Sequence, residues 1–225
     1  MLAVLVGAAL AVAGAILQGI VRNPLASPDV IGITSGAAMT AVAFLALFGT
    51  GLSIHWLPAA ALVGALLSAM LVFLLAWKGG ITPSRMVLVG IGLSAAMGAV
   101  TTLLIVISDD ASAMAAYVWL TGSLYAAQWQ DVFGLLPGCW SPFPCACPRR
   151  GTWMPWRWAT RLPGAGRELL RSRLVLMACS VALAGAAVAF AGGLSFVGLI
   201  APHIALAWWD VASPDWCPPP PWSAP

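Results

Sequence analysis

The sequence predicts an all-α protein, a polytopic bundle of transmembrane helices. Its 225 residues are 61% hydrophobic and 8% charged, with a mean hydropathy of +0.96, whereas a water-soluble domain carries about 25% charged residues. Long apolar stretches recur along the chain, and lipid offers no partner to an unpaired strand edge, so helices are expected. No large soluble domain fits beside them, and we predict no nucleic-acid partner for the net charge of +3.

The predicted spans are six apolar runs: Leu2–Val21, Val30–Ile54, Trp56–Trp77, Met86–Ile107, a weaker one at Ala111–Leu136, and Leu174 to about Ala205. At about 1.5 Å per residue, each main run is long enough to cross about 30 Å of hydrocarbon. The first run has a signal peptide as its alternative, with small residues for cleavage at Ala11, Ala13 and Ala15. It lacks a basic n-region and is longer than the usual apolar core of such peptides, so a spanning helix is favoured.

The basic residues predict the orientation. Arg22 ends the first run, Lys78 and Arg85 flank the loop between the third and fourth, and the others lie from Arg149 to Arg173. If successive runs alternate in direction, all of them face one side, which the positive-inside rule makes the cytoplasm. The chain then starts outside, and we expect that a preceding helix is missing. The outer face would carry His55, Asp109 and Asp110.

Two polar breaks interrupt the apolar runs: "LQGIVRNPLASPDVIGITSGA" at Leu17–Ala37 and "AGGLSFVGLIAPHIA" at Ala191–Ala205. Irregular backbone at membrane depth is tolerated only where protein or a water-filled cavity covers it. Small residues spaced by four, such as Gly90, Ser94 and Gly98, predict closely packed helices around the breaks.

Enzymatic and metal sites are not expected. His55 and His203 are the only histidines, "GLSFVG" is not a G-x-S-x-G elbow, and there is no phosphate-binding loop. An intramembrane enzyme would need paired ionisable residues inside the spans. The cysteines at 139, 145 and 147 lack a fourth ligand for a structural zinc site. A histidine in an apolar setting, such as His203, is more often a buried core residue with its hydrogen bonds satisfied than a metal ligand.

Both breaks carry a family resemblance. "GAALAVAGAILQGIVRNPLASPDVIGITSGA" and "SVALAGAAVAFAGGLSFVGLIAPHIA" resemble the FecCD-type permeases, the membrane subunits of ATP-binding-cassette (ABC) importers for ferric siderophores, haem and vitamin B12. "VWLTGSLYAAQW" at Val118–Trp129 is similar to the segment after the family's fifth helix. The resemblance covers about Leu2–Leu136 and Arg171–Ala205. It implies an incomplete copy of a ten-helix subunit, without the first helix.

The resemblance implies a permease for iron chelates of the siderophore type in the bacterial cytoplasmic (inner) membrane. The alternatives are a vitamin B12 or haem permease and, from another class, a non-transporting membrane scaffold. The implied partners are a second permease subunit, the same or homologous, cytoplasmic ATPase subunits, an extracytoplasmic substrate-binding protein and the lipid bilayer. No cofactor is expected in this chain, since a separate subunit would use the ATP. Residues implied to line the pathway or its gate are Gln18, Asn23, Pro24, Ser35, Gly36, Ser195, Phe196, Pro202 and His203. From the residues alone, Gln18 and Asn23 are expected to cap and tie helix ends instead.

Two segments depart from the family pattern. We divide the chain into permease regions at 1–137 and 171–205, separated and followed by atypical segments at 138–170 and 206–225. If the codons of Thr152–Pro163 are read from the third base of each, they permit L-D-A-L-A-L-G-D-A-A-A, which is similar to the family's coupling segment. The codons of the tail, residues 206–225, also permit permease-like sequence when they are read in a shifted frame. We hypothesise that both are out-of-frame translations, that Gly138–Gly166 and Leu206–Pro225 lack defined tertiary packing, and that the product is an inactive remnant.

Overall fold

The computed structural model describes residues 1–21, 23–48, 53–77, 83–125, 127–140 and 166–212. Within these ranges the regular elements are all helical, as predicted. They are α1 (Leu2–Val21), α2 (Ile33–Phe48), a 3-10 turn (Ile54–Trp56), α3 (Leu57–Ala76), α4 (Pro83–Ile107), α5 (Asp110–Thr121), α6 (Trp129–Trp140), α7 (Gly166–Ala191) and α8 (Val197–Ala212).

Four stretches are long and apolar enough to cross a membrane: Leu2–Val21, Ile54–Ala76, Ser84–Ile107 and Leu174–Ala191. They coincide with four of the six predicted runs. On α3 and α4, the exposed faces carry large apolar side chains, including Leu67, Met70, Leu75, Leu103 and Val106. Such faces suit contact with lipid, so the structure supports a multi-pass membrane protein.

The second predicted run is wrong in its extent. α2 begins only at Ile33, and its described part runs to Phe48, 16 residues; residues 49–52 lie outside the described residues. Its start is delayed because Gly32 has a φ of 87° and its amide bonds to the carbonyl of Asp29 at 3.0 Å. The residues before α2 therefore form turns and not helix.

The fifth and sixth predicted runs each contain two helices. α5 ends at Thr121 and α6 begins at Trp129, so Ala111–Leu136 is not one continuous helix. The last run is divided between α7 and α8 within the second polar break. Gly192 ends α7 with a φ of 75°, and α8 begins five residues later at Val197.

The core lies where α1, α2, α3 and α7 meet. Its fully buried members are mostly small or β-branched, among them Ala13, Ala37, Ala61, Ala65 and Val188. α2 packs along α3, and α1 packs on both α7 and α8. Because small side chains let helix axes approach closely, these helices pack tightly. The spacing predicted on α4 is confirmed only in part: Gly90 lies against the first break, whereas nothing lies within 4 Å of a β-carbon at Gly98.

A second apolar cluster gathers the ends of several helices. It contains Val21 from α1, Ala76 from α3 and Met86 from α4, with Met177 of α7 packed against it. The sequence places Arg22, Lys78 and Arg85 next to these ends. The helix termini beside these three basic residues thus share one end of the bundle, as the alternation of direction required.

The atypical segments are described only at their margins. α6 continues to Trp140, α7 begins at Gly166 and α8 continues to Ala212. The prediction that these segments lack tertiary packing concerns mainly residues 141–165 and 213–225, which lie outside the described residues.

Candidate functional site

The first polar break leaves α1 through an exposed turn. The side-chain oxygen of Asn23 accepts from the amide of Leu25 at 2.9 Å, and its carbonyl accepts from the amide of Ala26 at 3.1 Å. Asn23 and Pro24 are both exposed. Asn23 thus closes a local turn after the helix, which is the structural role that its residue type favours.

The chain then turns back into the bundle. Ser27 and Pro28 are buried, and the break comes to lie against the middles of α3 and α4. The hydroxyl of Ser68, halfway along α3, donates to the carbonyl of Gly32 at 2.6 Å. Gly90 of α4 faces the backbone of Val30 and Ile31, so closely that a β-carbon there would stand 2.8 Å from the Val30 oxygen. Irregular backbone is therefore covered by protein midway along spanning helices, as the break predicted.

The second break is held by the end of α5. The amide of Gly193 donates to the carbonyl of Trp119 at 3.3 Å, and the amide of Ser123 donates to the carbonyl of Ala191 at 3.0 Å. These bonds satisfy backbone groups that the helix ends leave open. They also bring the start of the third family-like stretch, Trp119 to Ser123, onto the second break.

The two breaks meet through Asp29. One carboxylate oxygen accepts from the amide of Phe196 at 3.2 Å, and the other accepts from the hydroxyl of Thr34 in the first turn of α2. Phe196 immediately precedes α8 and has a φ of 66°, the one positive value outside glycine in the described backbone. Negative charge at the amino ends of α2 and α8 is favourable, because their free amides point toward it.

α1 and α8 cross at two glycines. The carbonyl of Gly198 occupies the space that a side chain at Gly14 would need, and Gly198 itself lies against Leu10 and Pro28. Pro202, inside α8, has no amide hydrogen to donate to the carbonyl four residues earlier, which is that of Gly198. The carbonyl freed by Pro202 is thus the one that points into the α1 contact.

Gln18 and His203 share one acceptor beside this crossing. The carbonyl of Leu199 accepts from Nε2 of Gln18 at 3.4 Å, and Nδ1 of His203 lies 2.8 Å from the same oxygen. A carbonyl only accepts, so Nδ1 carries the proton in this arrangement. His203 is exposed, and the expectation of a buried core histidine is wrong. Gln18 ties two helices together, as expected.

Gly36 belongs to a different contact. Gly36 of α2 faces Gly64 and Ser68 of α3, and Gly64 in turn faces Thr40. The Thr40 hydroxyl donates to the carbonyl of Ala60 across the helix pair at 2.9 Å. Each helix thus offers a glycine to a hydroxyl residue of the other, and the α2–α3 pair is closely interlocked.

The nine predicted site residues therefore divide by place. Gln18, Phe196, Pro202 and His203 lie around the junction of the breaks, with Ser195 exposed beside Phe196. Gly36 lies in the α2–α3 contact with the half-buried Ser35 next to it, and Asn23 and Pro24 lie on the exposed turn after α1.

Asp29 was missed, although a signal for it was present. It is the only acidic residue in the first 108 positions, and an ionisable group among apolar spans is a functional candidate by default. Elsewhere in the described part of the chain, no three His, Cys, Asp or Glu side chains come close enough to hold a metal ion.

Known proteins resemble the chain over most of its length. The profile of the FecCD transport family matches residues 1–215. The achromobactin transport system permease protein CbrC of Dickeya dadantii is 46% identical over 213 residues, covering 91% of this chain and 59% of the relative. A probable siderophore transport system permease protein, YfhA of Bacillus subtilis, is 44% identical, covering 88% and 60%.

A more distant relative and a solved structure extend the range. The cobalamin import system permease protein BtuC of Halobacterium salinarum is 36% identical, covering 88% of this chain and 53% of the relative. A structure described as an inward-facing conformation of a metal-chelate type ABC transporter is 29% identical, with a TM-score of 0.77, covering 92% of this chain and 66% of the other. The chain thus spans about three-fifths of the length of the first two of these curated relatives.

Proposed function

Because the chain belongs to the FecCD transport family, we propose that it is the membrane-spanning part of a permease subunit in an ABC importer for iron chelates of the siderophore type. The observation that carries the proposal is the meeting of the three family-like stretches at one junction. There Asp29 bonds to Phe196, and Gly193 bonds to Trp119.

Siderophore-type chelates are favoured over other cargo by the relatives. Those at 46% and 44% identity are named for achromobactin and siderophore transport, and others are named for iron(3+)-hydroxamate and Fe(3+)-citrate import. Cobalamin is the second candidate, favoured by the relative at 36% identity. Haem is the third candidate and is implied by the family resemblance alone.

The proposed path runs beside the junction. Ser195, Phe196 and His203 are exposed there, and Gln18 lies behind them in the α1–α8 contact. The five remaining residues of the implied set, Asn23, Pro24, Ser35, Gly36 and Pro202, would act by placing the backbone around this face. Exposed aromatic and imidazole groups beside a polar break suit a bulky, partly polar cargo.

The proposed assembly follows the family. A second permease subunit would complete the path, cytoplasmic ATPase subunits would hydrolyse ATP, and an extracytoplasmic binding protein would deliver the chelate. The chain would bind no cofactor of its own and would lie in the bacterial inner membrane. The helix ends next to Arg22, Lys78 and Arg85 would face the cytoplasm.

Uptake by a defined strain tests the proposal. A host that lacks its own iron-chelate permeases would express this chain with its ATPase and binding protein, beside a second version whose gene has the atypical segments returned to frame. Iron uptake from a ferric chelate by the restored version is the expected result. Uptake of labelled cobalamin alone would favour the second candidate. Uptake of neither by the restored version would favour the non-transporting scaffold.

A further inference from the structure

We propose that Asp29 is a positioning residue of the transport path, whose carboxylate fixes the backbone of Phe196 and thereby the place of the exposed Phe196 ring. The inference rests on the proposed function, because it takes the face around Phe196 to be part of the path. No role for Asp29 followed from the family resemblance or from the named relatives.

The bonding of Asp29 joins two separate segments. Its two carboxylate oxygens contact Thr34, five residues later, and Phe196, 167 residues later. Its own carbonyl accepts from the amide of Gly32, so the residue is fixed at both backbone and side chain. Because each carboxylate oxygen accepts from a different segment, the side chain fixes the start of α2 and the start of α8 relative to each other.

Phe196 needs such support. A φ of 66° is unfavourable for a residue with a β-carbon, and it persists only where surrounding contacts impose it. The ring supplies little of that support, because the side chain is 63% exposed. The carbonyl of Phe196 is engaged by the amides of Leu199 and Ile200 at 3.0 and 2.9 Å. The bond from its amide to Asp29 is the described contact that ties this residue to the other break.

Loss of the carboxylate should therefore release Phe196 without unfolding the bundle. The glycine crossing of α1 and α8 and the bond from Gln18 to Leu199 would still hold α8 in place. The Phe196 backbone would relax toward a negative φ, and the exposed ring and the neighbouring Ser195 would move with it.

A thiol at position 195 reports this release. Ser195→Cys is introduced into the full chain with its native cysteines replaced, and its reaction with a water-soluble maleimide is timed in proteoliposomes. Asp29→Ala is expected to accelerate labelling by roughly tenfold, the scale set by loss of a hydrogen bond to a charged group. Asp29→Asn keeps one acceptor oxygen and is expected to stay within about twofold of the parent. Such rescue distinguishes positioning from a general loss of fold.

Matched variants complete the test. Thr34→Val removes the hydrogen bond from the Thr34 hydroxyl to the carboxylate and should give an intermediate labelling rate. It takes the place of Asp29→Ala in the test if Asp29→Ala fails to fold. Asp110→Ala removes an exposed acid at the start of α5 and should leave the rate unchanged. The proposal is overturned if Asp29→Ala, or Thr34→Val in its place, labels at the parent rate, or if Asp110→Ala accelerates labelling equally.

Transport separates this inference from the proposed function. In the uptake assay, Asp29→Ala in the restored version should lower the maximal rate at least fivefold, and Asp29→Asn should recover most of it. Normal uptake by Asp29→Ala would overturn the positioning role while leaving the permease assignment intact. If the restored parent itself transports nothing, the proposed function fails, and the labelling rates still report whether Asp29 holds Phe196.

Discussion

The carbonyl oxygen of Gly198 in α8 occupies the position that a β-carbon of Gly14 in α1 would take. This carbonyl has no amide partner at position 202, because a proline stands there. Two glycines and one proline thus bring two helices into backbone contact beside the polar breaks. The contact has a direct consequence for substitution.

Gly14→Ala should destabilise the bundle by about 1–3 kcal/mol, because the new methyl group meets backbone that cannot rotate away. Gly7→Ala and Gly19→Ala are matched controls on the same helix, since nothing lies within 4 Å of a β-carbon at either position. They should stabilise α1 by about 0.5–1 kcal/mol. Thermal unfolding in detergent measures all three, and a neutral Gly14→Ala would contradict the described crossing.

Ser68→Ala should also lower stability. The substitution leaves the carbonyl of Gly32 without its 2.6 Å donor in a buried place, and hydrogen bonds within membrane bundles contribute about 0.6 kcal/mol, up to about 1.7. Thr102→Val is the control, because Thr102 donates to the carbonyl of Gly98 on an exposed face. Equal losses for the two variants in thermal unfolding would argue against a special role for Ser68.

Phe196 should tolerate glycine better than valine. Glycine adopts a φ of 66° freely, whereas a β-branched residue at a positive φ adds strain of about 1–3 kcal/mol. Little buried area is lost in either case, because the ring is mostly exposed. Unfolding temperatures in the order Phe196→Gly above Phe196→Val are expected, and the reverse order would mean that the backbone leaves this conformation.

Asp109 should titrate below its usual range. It caps α5, and its bonds to the backbone and side chain of Ser112 lower the pKa of this carboxyl from 3.8. Because the folded pKa is depressed, the cap is fully present above the unfolded pKa and is lost as the pH falls through the lower folded value. In a pH titration followed by NMR, the chemical shift of the Ser112 amide should therefore change with a midpoint below pH 3.8. Asp109→Asn should abolish this shift, and Asp110→Asn should not.

The two atypical segments predict features of the gene. Small insertions or deletions should lie near codons 137, 168 and 206, and the third-base frame should stay open through both segments. The chain as written would then lack the coupling segment and should not transport. Stop codons in the shifted frame within Thr152–Pro163, or uptake by the unrestored 225-residue chain, would contradict the hypothesis.

The sequence by itself determined that this is a membrane protein, that it is helical and where its two polar breaks lie. Those features depend on local composition, because about 20 apolar residues suffice to mark a span and glycine and proline mark where it ends. The family-like stretches carry both breaks, and the pathway residues that they imply stay a prediction. The basic residues flank helix ends that share one end of the bundle, and the side of the membrane that this end faces stays a prediction.

The tertiary structure alone decided which parts of the breaks meet. The Asp29–Phe196 bond joins residues 167 positions apart, and no local pattern encodes that distance. The late start of α2 and the divided fifth run likewise follow from backbone bonds made in the folded chain. His203 was misjudged because an apolar neighbourhood in sequence does not tell which face of a helix is covered. Burial is a property of packing, and packing is settled only when distant segments come together.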